Sequence, residues 1–497
     1  MNLREMLEKI GRSIRFILKN ENKELRTKTF SFITITVVFV LMFAGLAGNL
    51  LLFLETQSYD AIGSDYNKRQ DLLEERNIRG DIVTGNGELL AYSEEVSQDT
   101  EVRIYPHGPL FSHVVGYSTN GKMGIEKYAN MNLIQSNDSV DKRVSNNIKQ
   151  EKNKGDTVVS TLNFRLQEVA FKSLGAYKGA IIVTDVETGA VLAMVSKPDF
   201  DPNSIEAEWE KLLLDEESSV LVNRVTQGMY PPGSTFKIID ALAYYQQFPD
   251  EADQYVFQCN GKYVYQDRKI TCYHGTNHGT VDLRASFAKS CNSSFANIGL
   301  LLERKRFSET LDRLLFGKTL PGDFVHNQSN VFIDENSDDT EVVQASIGQG
   351  KSSVSPYHMN LITSAIANDG VLMKPYLVSE IRNASGKVVK KYGPKKELQL
   401  ITQDESAFLK QLMAEVVTNG TAHRLQEAQY SSAGKTGSAE FGTNPADSHA
   451  WFTGFAPYED PKVSVTIIIE GAGTGGDYAV PVAKRLFDAY FEQFPQN

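Results

Sequence analysis

A long uninterrupted run of apolar residues stands near the beginning of the chain. Residues 29–54 contain no charged side chain. At a rise of about 1.5 Å per residue, such a run can cross a hydrocarbon core of about 30 Å. A buried core helix and a signal peptide are the alternatives, but a signal peptide has an apolar stretch of only about 7–15 residues. The length of the run therefore favours an uncleaved transmembrane helix.

The charges around this run predict its orientation. Residues 1–28 carry eight Lys/Arg and four Glu, whereas the whole chain has a net charge of -11. Because basic residues beside a span stay on the cytoplasmic side, we expect a cytoplasmic tail at 1–28, a single span at 29–54 and the rest of the chain outside the cytoplasm. The remainder is acidic, which argues against nucleic acid as a partner, since phosphate binding requires a basic surface.

Beyond the span, the apolar pattern becomes denser near residue 156. Residues 55–155 hold short apolar runs, including a strand pair around Gly85-Asn86-Gly87 and a polar segment at 132–154 that is typical of a flexible surface. The denser part shows strand patterns at 179–184, 190–195, 450–455 and 463–470, and helical periodicity at 235–247, 283–302 and 478–494. The pattern predicts a small β-rich pedestal at 55–155 and an α+β domain at 156–497.

Four Ser-x-x-Lys patterns occur, and one of them stands in a distinctive context. Ser234 and Lys237 follow Pro231-Pro232-Gly233, residues that suit a helix start. Lys237 then lies one turn from Ser234 on the same helix face, where an amine can serve as base for a hydroxyl nucleophile. N–H groups at the helix start can stabilise an oxyanion. The other patterns, at Ser139/Lys142, Ser286/Lys289 and Ser432/Lys435, lack this context.

Two further motifs follow Ser234 in order along the chain. Ser290-Cys291-Asn292 falls within a stretch of helical periodicity, where a second hydroxyl and an amide could relay a proton and hold a peptide carbonyl. Lys435-Thr436-Gly437-Ser438 precedes a strand pair and is expected on a strand beside a cleft. Its Lys and Thr suit a substrate carboxylate, its Gly allows close approach of a substrate backbone, and its final N–H could complete an oxyanion hole.

The three motifs read STFK, SCN and KTG, and they resemble the S-x-x-K, S-D-N and K-T-G signature of class A β-lactamases and penicillin-binding proteins, with Cys291 in place of the Asp. Over nearly its whole length the chain resembles the class B, monofunctional penicillin-binding proteins, especially the PbpA/FtsI-like transpeptidases. Blocks at 79–91, 124–126, 189–194, 348–350 and 451–455 are also similar to family blocks. The resemblance implies a dimerisation-like pedestal and a penicillin-binding/β-lactamase-like domain, in which helices surround an antiparallel sheet.

The resemblance also implies peptidoglycan D,D-transpeptidation in cell-wall synthesis, without a metal or cofactor. Ser234 would attack the carbonyl between the terminal D-alanines of a stem peptide, with Lys237 as base and Ser290 as proton shuttle. Asn292, Lys435 and Thr436 would hold the stem. A β-lactam would acylate the same serine. The family further implies a SEDS-type glycosyltransferase as membrane partner.

Three alternatives share parts of this pattern. A class D β-lactamase has the same STFK motif, but its second motif resembles S-x-V, where this chain has Asn292. A D,D-carboxypeptidase would transfer the acyl group to water. A β-lactam-sensing receptor would need several spans, whereas this sequence shows one.

Cysteines and histidines add no metal site to this interpretation. Cys259, Cys272 and Cys291 show no CxxC spacing, so a zinc site is not predicted. Free thiols at Cys259 and Cys272 are favoured slightly over a disulfide between them. His274 and His278 have no evident third ligand nearby, and we expect neither metal nor cofactor.

Overall fold

A computed structural model describes residues 12, 23–56, 68–97, 100–215, 217–266, 268–441 and 447–495. The chain divides into two units, Met1–Arg69 and Gln70–Asn497. In the first unit, helix α1 runs over Lys23–Thr56. Its segment Phe30–Phe53 is long and apolar enough to cross a membrane, and none of its most apolar window is buried. This helix supports the predicted single-pass anchor. The tail predicted at 1–28 lies mostly outside the described residues.

The other described helices are numbered along the chain. They are α2 (Arg69–Arg76), α3 (Ser112–Val115), α4 (Gly124–Tyr128), α5 (Asn130–Ile134), α6 (Val140–Lys149), α7 (Phe164–Leu174), α8 (Ile205–Leu214), α9 (Lys237–Gln247), α10 (Leu283–Ala288), α11 (Asn292–Leu301), α12 (Arg304–Arg313), α13 (Asp339–Ser346), α14 (Pro356–Ala367), α15 (Gln403–Thr418) and α16 (Val480–Gln493). Short 3₁₀ turns, such as Gly233–Phe236, lie between them.

The described strands are numbered in the same way. They are β1 (Asn77–Ile78), β2 (Ile82–Val83), β3 (Leu89–Ser97), β4 (Thr100–Ile104), β5 (Asn153–Lys154), β6 (Thr157–Ser160), β7 (Gly179–Asp185), β8 (Val191–Lys197), β9 (Val256–Cys259), β10 (Lys262–Tyr265), β11 (Arg268–Thr271), β12 (Gly279–Asp282), β13 (Val371–Met373), β14 (Val378–Arg382), β15 (Val388–Lys391), β16 (Lys396–Gln399), β17 (Ala433–Glu440), β18 (Ser448–Ala456) and β19 (Val463–Ile469).

A five-stranded antiparallel sheet forms the centre of the second unit, in the order β17-β18-β19-β7-β8. Every residue of β19 is buried, which requires cover on both faces of the sheet. Helix α14 packs against β7, β18 and β19, while α7 and α16 pack against β8 and β19. Among the described strands, β17 lies at the edge of this sheet and pairs with β18 alone, so its outer side is available to a site. The predicted α+β class is confirmed.

A second, six-stranded sheet has the order β15-β14-β6-β2-β3-β4. Its β2–β3 pair is the strand pair predicted around Gly85-Asn86-Gly87. Strands β6, β14 and β15 come from beyond residue 156, so the sheet joins the pedestal part of the chain to segments of the larger part. The two parts meet where β2 pairs with β6 in parallel, Ile82 opposite Val158 and Val83 opposite Val159.

A buried ion cluster braces this pedestal sheet. The Glu126 carboxylate is fully buried and accepts hydrogen bonds from Arg79 Nε at 2.6 Å and Arg103 Nε at 2.7 Å. Two guanidinium groups hold the pKa of Glu126 below its usual value although burial opposes this. The cluster explains why the blocks at 79–91 and 124–126 carry charged residues.

Two local predictions were wrong. The polar segment at 132–154 contains α6, in which Val140, Val144 and Ile148 recur at helical spacing. The stretch at 283–302 is not one helix, because α10 ends at Ala288 and α11 begins at Asn292. The break falls at Ser290, whose φ of 56° lies in the left-handed region.

Candidate active site

Ser234 lies in the first turn of the helical segment that continues as α9. The 3₁₀ turn Gly233–Phe236 follows Pro231-Pro232 and leads directly into Lys237, as the sequence predicts. Ser234 is partly exposed, whereas Lys237 is fully buried. The first N–H groups of a helix have no intrahelical partner, so this turn presents donors beside a hydroxyl.

The loop Gly348-Gln349-Gly350 packs against the Gly233–Phe236 turn that carries Ser234. Gly233 N–H donates to Gly348 O at 2.9 Å. A Cβ added to Gly348 would lie 1.8 Å from Gly233 O, and its φ of 70° also disfavours other residues. The close contact explains the Gly348-Gln349-Gly350 block noted in the sequence.

Edge strand β17 passes along the other side of the same turn. A Cβ added to Gly437 would come within 3.1 Å of Thr235 Cγ2 and 3.2 Å of Pro232 O. A Cβ added to Gly233 would lie 3.0 Å from Ser438 O. The predicted strand location of Lys435-Thr436-Gly437-Ser438 is confirmed. Glycine at 437 is needed because the strand and the Gly233–Phe236 turn are in contact.

The Ser290-Cys291-Asn292 motif occupies the turn between α10 and α11, and both lysines reach it. Lys237 Nζ donates to Asn292 Oδ1 at 2.7 Å, to Ser290 O at 2.8 Å and to Ser290 Oγ at 3.2 Å. Lys435 Nζ donates to Ser290 Oγ at 3.0 Å and to Thr436 O at 3.1 Å. The hydroxyl of Ser290 therefore lies between two amino groups, where it can carry a proton from one side to the other.

Burial makes both lysines easier to deprotonate. Loss of hydration lowers the pKa of Lys237 to about 8, although the charges of Cys291, Cys272 and Asp240 act in the opposite direction. Burial, together with the nearby positive charge of Lys237, lowers the pKa of Lys435 well below its usual value. An uncharged amine is thus accessible near neutral pH, as a base requires.

Two of the other three Ser-x-x-Lys patterns lie apart from this arrangement, and the third, Ser432/Lys435, shares its lysine with the site. Ser139 is exposed and its Lys142 pairs with Asp138 at 2.7 Å. Ser286 is buried and accepts a hydrogen bond from Ser294 Oγ, while its Lys289 is exposed. All eight predicted site residues, in contrast, lie on three segments that contact one another. These residues are Ser234, Lys237, Ser290, Asn292, Lys435, Thr436, Gly437 and Ser438.

A second cluster, which the sequence did not predict, lies beside the Ser290 turn. The ligand atoms of Cys259, Cys272, His278 and Cys291 all lie within 4.8 Å of one another. Cys272 Sγ is 3.7 Å from Cys259 Sγ and 3.8 Å from Cys291 Sγ, and Cys259 Sγ is 3.4 Å from His278 Nδ1. The three cysteines are free thiols in this structure. The available signal was the occurrence of three cysteines and a histidine within residues 259–291. Their separations along the chain match no standard metal motif, so the sequence analysis did not group them.

This donor set suits a zinc ion. Zn²⁺ binds Cys₃His sets tetrahedrally, and Zn–S bonds of about 2.3 Å place sulfur atoms about 3.8 Å apart. The two short sulfur–sulfur distances agree with that value. Backbone N–H groups of Gly261 and Ser294 donate to Cys259 Sγ and Cys291 Sγ, each at 3.4 Å, which would also stabilise thiolates. The expectation that no metal site is present was based on spacing along the chain, whereas the fold brings four possible ligand atoms within 4.8 Å of one another.

A helix-start serine, two buried lysines and a bridging second serine together form a candidate serine acyltransferase site. Residues 179–488 match the family model of the penicillin binding protein transpeptidase domain, and residues 79–158 match that of the penicillin binding protein A dimerisation domain. The chain belongs to the penicillin-binding-protein transpeptidase family.

Individual relatives agree with this membership. The peptidoglycan D,D-transpeptidase PbpA of Mycolicibacterium smegmatis is 29% identical over 86% of this chain and 92% of its own length. The D,D-transpeptidase domain of a peptidoglycan glycosyltransferase from Eggerthella lenta is 30% identical, with a TM-score of 0.76 over 84% of this chain and 99% of that one. Penicillin-binding protein A of M. tuberculosis, as a ceftriaxone acyl-enzyme, is 27% identical, with a TM-score of 0.75 over 84% and 99%.

Proposed function

We propose that this protein is a peptidoglycan D,D-transpeptidase that crosslinks stem peptides through an acyl-enzyme on Ser234 and that is acylated by β-lactams at the same residue. The observation that carries the proposal is the position of Ser290 Oγ between Lys237 Nζ and Lys435 Nζ, next to the nucleophile turn. The names of the relatives, and the acyl-enzyme structure of one of them, support the same activity.

Acylation begins when Lys237 is uncharged. As an ammonium, Lys237 donates its three N–H protons to Ser290 O, Ser290 Oγ and Asn292 Oδ1. Loss of one proton frees a lone pair, which can take the proton of Ser234 as its oxygen attacks the carbonyl of the penultimate D-Ala. Ser290 then passes a proton to the departing D-Ala nitrogen. The N–H groups of Ser234 and Ser438 stabilise the oxyanion.

Substrate binding divides between the edge strand and the Ser290 turn. Lys435 is fully buried and directs its amine towards Ser290, whereas Thr436 retains 5% exposure. Thr436 therefore contacts the terminal carboxylate, and Lys435 contributes charge from behind it. A bound carboxylate keeps Lys435 protonated, which further disfavours a proton on Lys237. Gly437 leaves room for the stem backbone, and Asn292 holds a stem carbonyl.

An acyl-acceptor assay tests the transpeptidase assignment. The protein is incubated with a donor peptide ending in D-Ala-D-Ala and with a second stem peptide whose free amine serves as acceptor. We expect amide product to exceed hydrolysed donor, with one D-Ala released per acyl transfer. Hydrolysed donor alone, at saturating acceptor, would favour the carboxypeptidase alternative instead. Stable acylation without turnover of any donor would favour a β-lactam-sensing receptor.

The membrane arrangement extends this proposal. Residues 1–28 form a cytoplasmic tail, 29–54 the span, 55–155 the pedestal and 156–497 the extracytoplasmic transpeptidase domain. The basic tail supports this orientation. A SEDS-type glycosyltransferase would contact the span and pedestal. Replacing the span with an unrelated one should impair growth while penicillin binding persists; normal growth of cells with the exchanged span would contradict this partner.

The cysteine cluster adds a structural metal to the proposal. Zn²⁺ held by Cys259, Cys272, His278 and Cys291 would fix the position of Cys291. Its neighbours Ser290 and Asn292, which accept hydrogen bonds from Lys237, would then be fixed as well. We expect protein purified without chelator to contain about one zinc per chain by elemental analysis. Cys259→Ser should lose it and melt at a lower temperature, whereas His274→Ala, a neighbouring histidine outside the cluster, should retain it. Metal-free wild-type protein whose thiols react readily would rule out a zinc site.

A further inference from the structure

Thr421 lies outside the three sequence motifs but touches one of them directly. It follows α15 in the segment Asn419-Gly420-Thr421. Its hydroxyl oxygen is 2.5 Å from Thr436 Oγ1. Thr436 is itself only 5% exposed, so its hydroxyl has little access to solvent.

Close backbone contacts with neighbouring segments of the site hold Thr421 in position. Thr421 N–H donates to Ala288 O at 3.3 Å, two residues before Ser290. A Cβ added to Gly420 would lie 2.3 Å from Ala288 O, and one added to Gly476 would lie 2.8 Å from Thr421 O. Thr421 therefore connects the Ser290 turn to edge strand β17, and its position relative to both is closely constrained.

The direction of the hydrogen bond follows from what a hydroxyl can do. A threonine hydroxyl donates one proton and accepts at its lone pairs. If Thr436 donates its proton to a carboxylate, the bond between the two threonines requires Thr421 to be the donor. Accepting that bond makes the Thr436 hydroxyl a stronger donor, because hydrogen bonds in a chain polarise one another.

We propose that Thr421 is a positioning residue for substrate recognition: its hydroxyl donates to Thr436 and thereby aims the Thr436 proton at the carboxylate of the stem or β-lactam. This inference rests on the proposed function, in which Thr436 binds that carboxylate. The group recognised is an anionic carboxylate next to the scissile bond, and the bond itself is cleaved by other residues.

Acylation by penicillin G and by its methyl ester tests the proposal. The two probes share the reactive ring, but only the free acid carries the carboxylate. We expect Thr421→Val to slow acylation by the free acid roughly tenfold, the effect of one lost hydrogen bond, and to leave the ester rate within about twofold. Thr421→Ser keeps the donor and should acylate at close to the wild-type rate with both probes.

A double-variant cycle with Thr436→Val separates positioning from simple packing. If Thr421 acts through Thr436, Thr421→Val should add little slowing to Thr436→Val. Equal slowing of acid and ester, multiplicative effects in the double variant, or a Thr421→Ser variant as slow as Thr421→Val would overturn the proposal. Failure of the proposed function would appear differently, as a wild type that neither probe acylates or as acylation that survives Ser234→Ala, and it would overturn this inference as well.

Discussion

Ser234→Ala is expected to abolish covalent labelling by a fluorescent penicillin and to reduce transpeptidation by at least about 10⁴-fold, the scale seen when a catalytic nucleophile is removed. The physical reason is that Ser234 is the hydroxyl at the helix start, between the Gly348 loop and strand β17. Removing one oxygen eliminates the acyl-enzyme but leaves these packing contacts in place, so the variant should fold normally.

Mass spectrometry of the labelled protein makes this result specific. The penicilloyl group should be found on the peptide that contains Ser234. Ser139→Ala is a matched control, because Ser139 begins another Ser-x-x-Lys pattern but is exposed and lies in the pedestal. It should label like wild type. Equal labelling of Ser234→Ala and wild type, or an acylated peptide elsewhere in the chain, would show that Ser234 is not the nucleophile.

Replacement of the base is the second large effect that we expect. Lys237→Met should slow acylation by about 10³-fold, within the range for loss of a general base. Methionine retains an unbranched apolar chain in this fully buried position but supplies no amine, so Ser290 and Asn292 lose their donor. Lys289→Met, a change at the exposed lysine of the Ser286 pattern, should acylate normally.

The pH dependence of acylation tests the same role without a mutation. Because burial lowers the pKa of Lys237 to about 8, its neutral form increases as the pH rises towards that value. The second-order rate of acylation should therefore rise about tenfold per pH unit below pH 8 and level off above it. Stopped-flow measurements between about pH 6 and 10 would show this. A flat profile, or a rate that falls between about pH 6 and 8, would contradict a lysine base.

Local pattern was sufficient for much of the fold and the site. The membrane-spanning helix follows from the length of one apolar run, and strands β7, β8, β18 and β19 follow from short apolar segments between turn residues. The helix start before Lys237 follows from Pro231-Pro232-Gly233. These features depend on neighbouring residues, so a window of sequence contains the information that determines them.

Other features depend on residues that are distant in the chain. The helix-start context distinguished Ser234 from the serines of three other Ser-x-x-Lys patterns, but only the fold places Ser290, 145 residues from Lys435, between the two lysines. The turn at Ser290 interrupts a periodicity that predicted one helix. Ser290 adopts a left-handed conformation after α10, Cys291 N–H donates to Ser286 O, and Lys237 Nζ from the remote helix α9 donates to Ser290 O. Spacing alone did not reveal the cysteine cluster or the pairing of Thr421 with Thr436.

The sequence by itself thus determined which reactive side chains the protein has, their order along the chain, and the helix start and strand on which Ser234 and Lys435 lie. Which of those groups meet depends on the folded arrangement of segments that are remote along the chain. The physical reason is that hydrogen bonds and metal–ligand geometry act over a few ångströms, and such distances between remote segments are set by strand order and by the packing of α15 and the Gly233–Phe236 turn against edge strand β17.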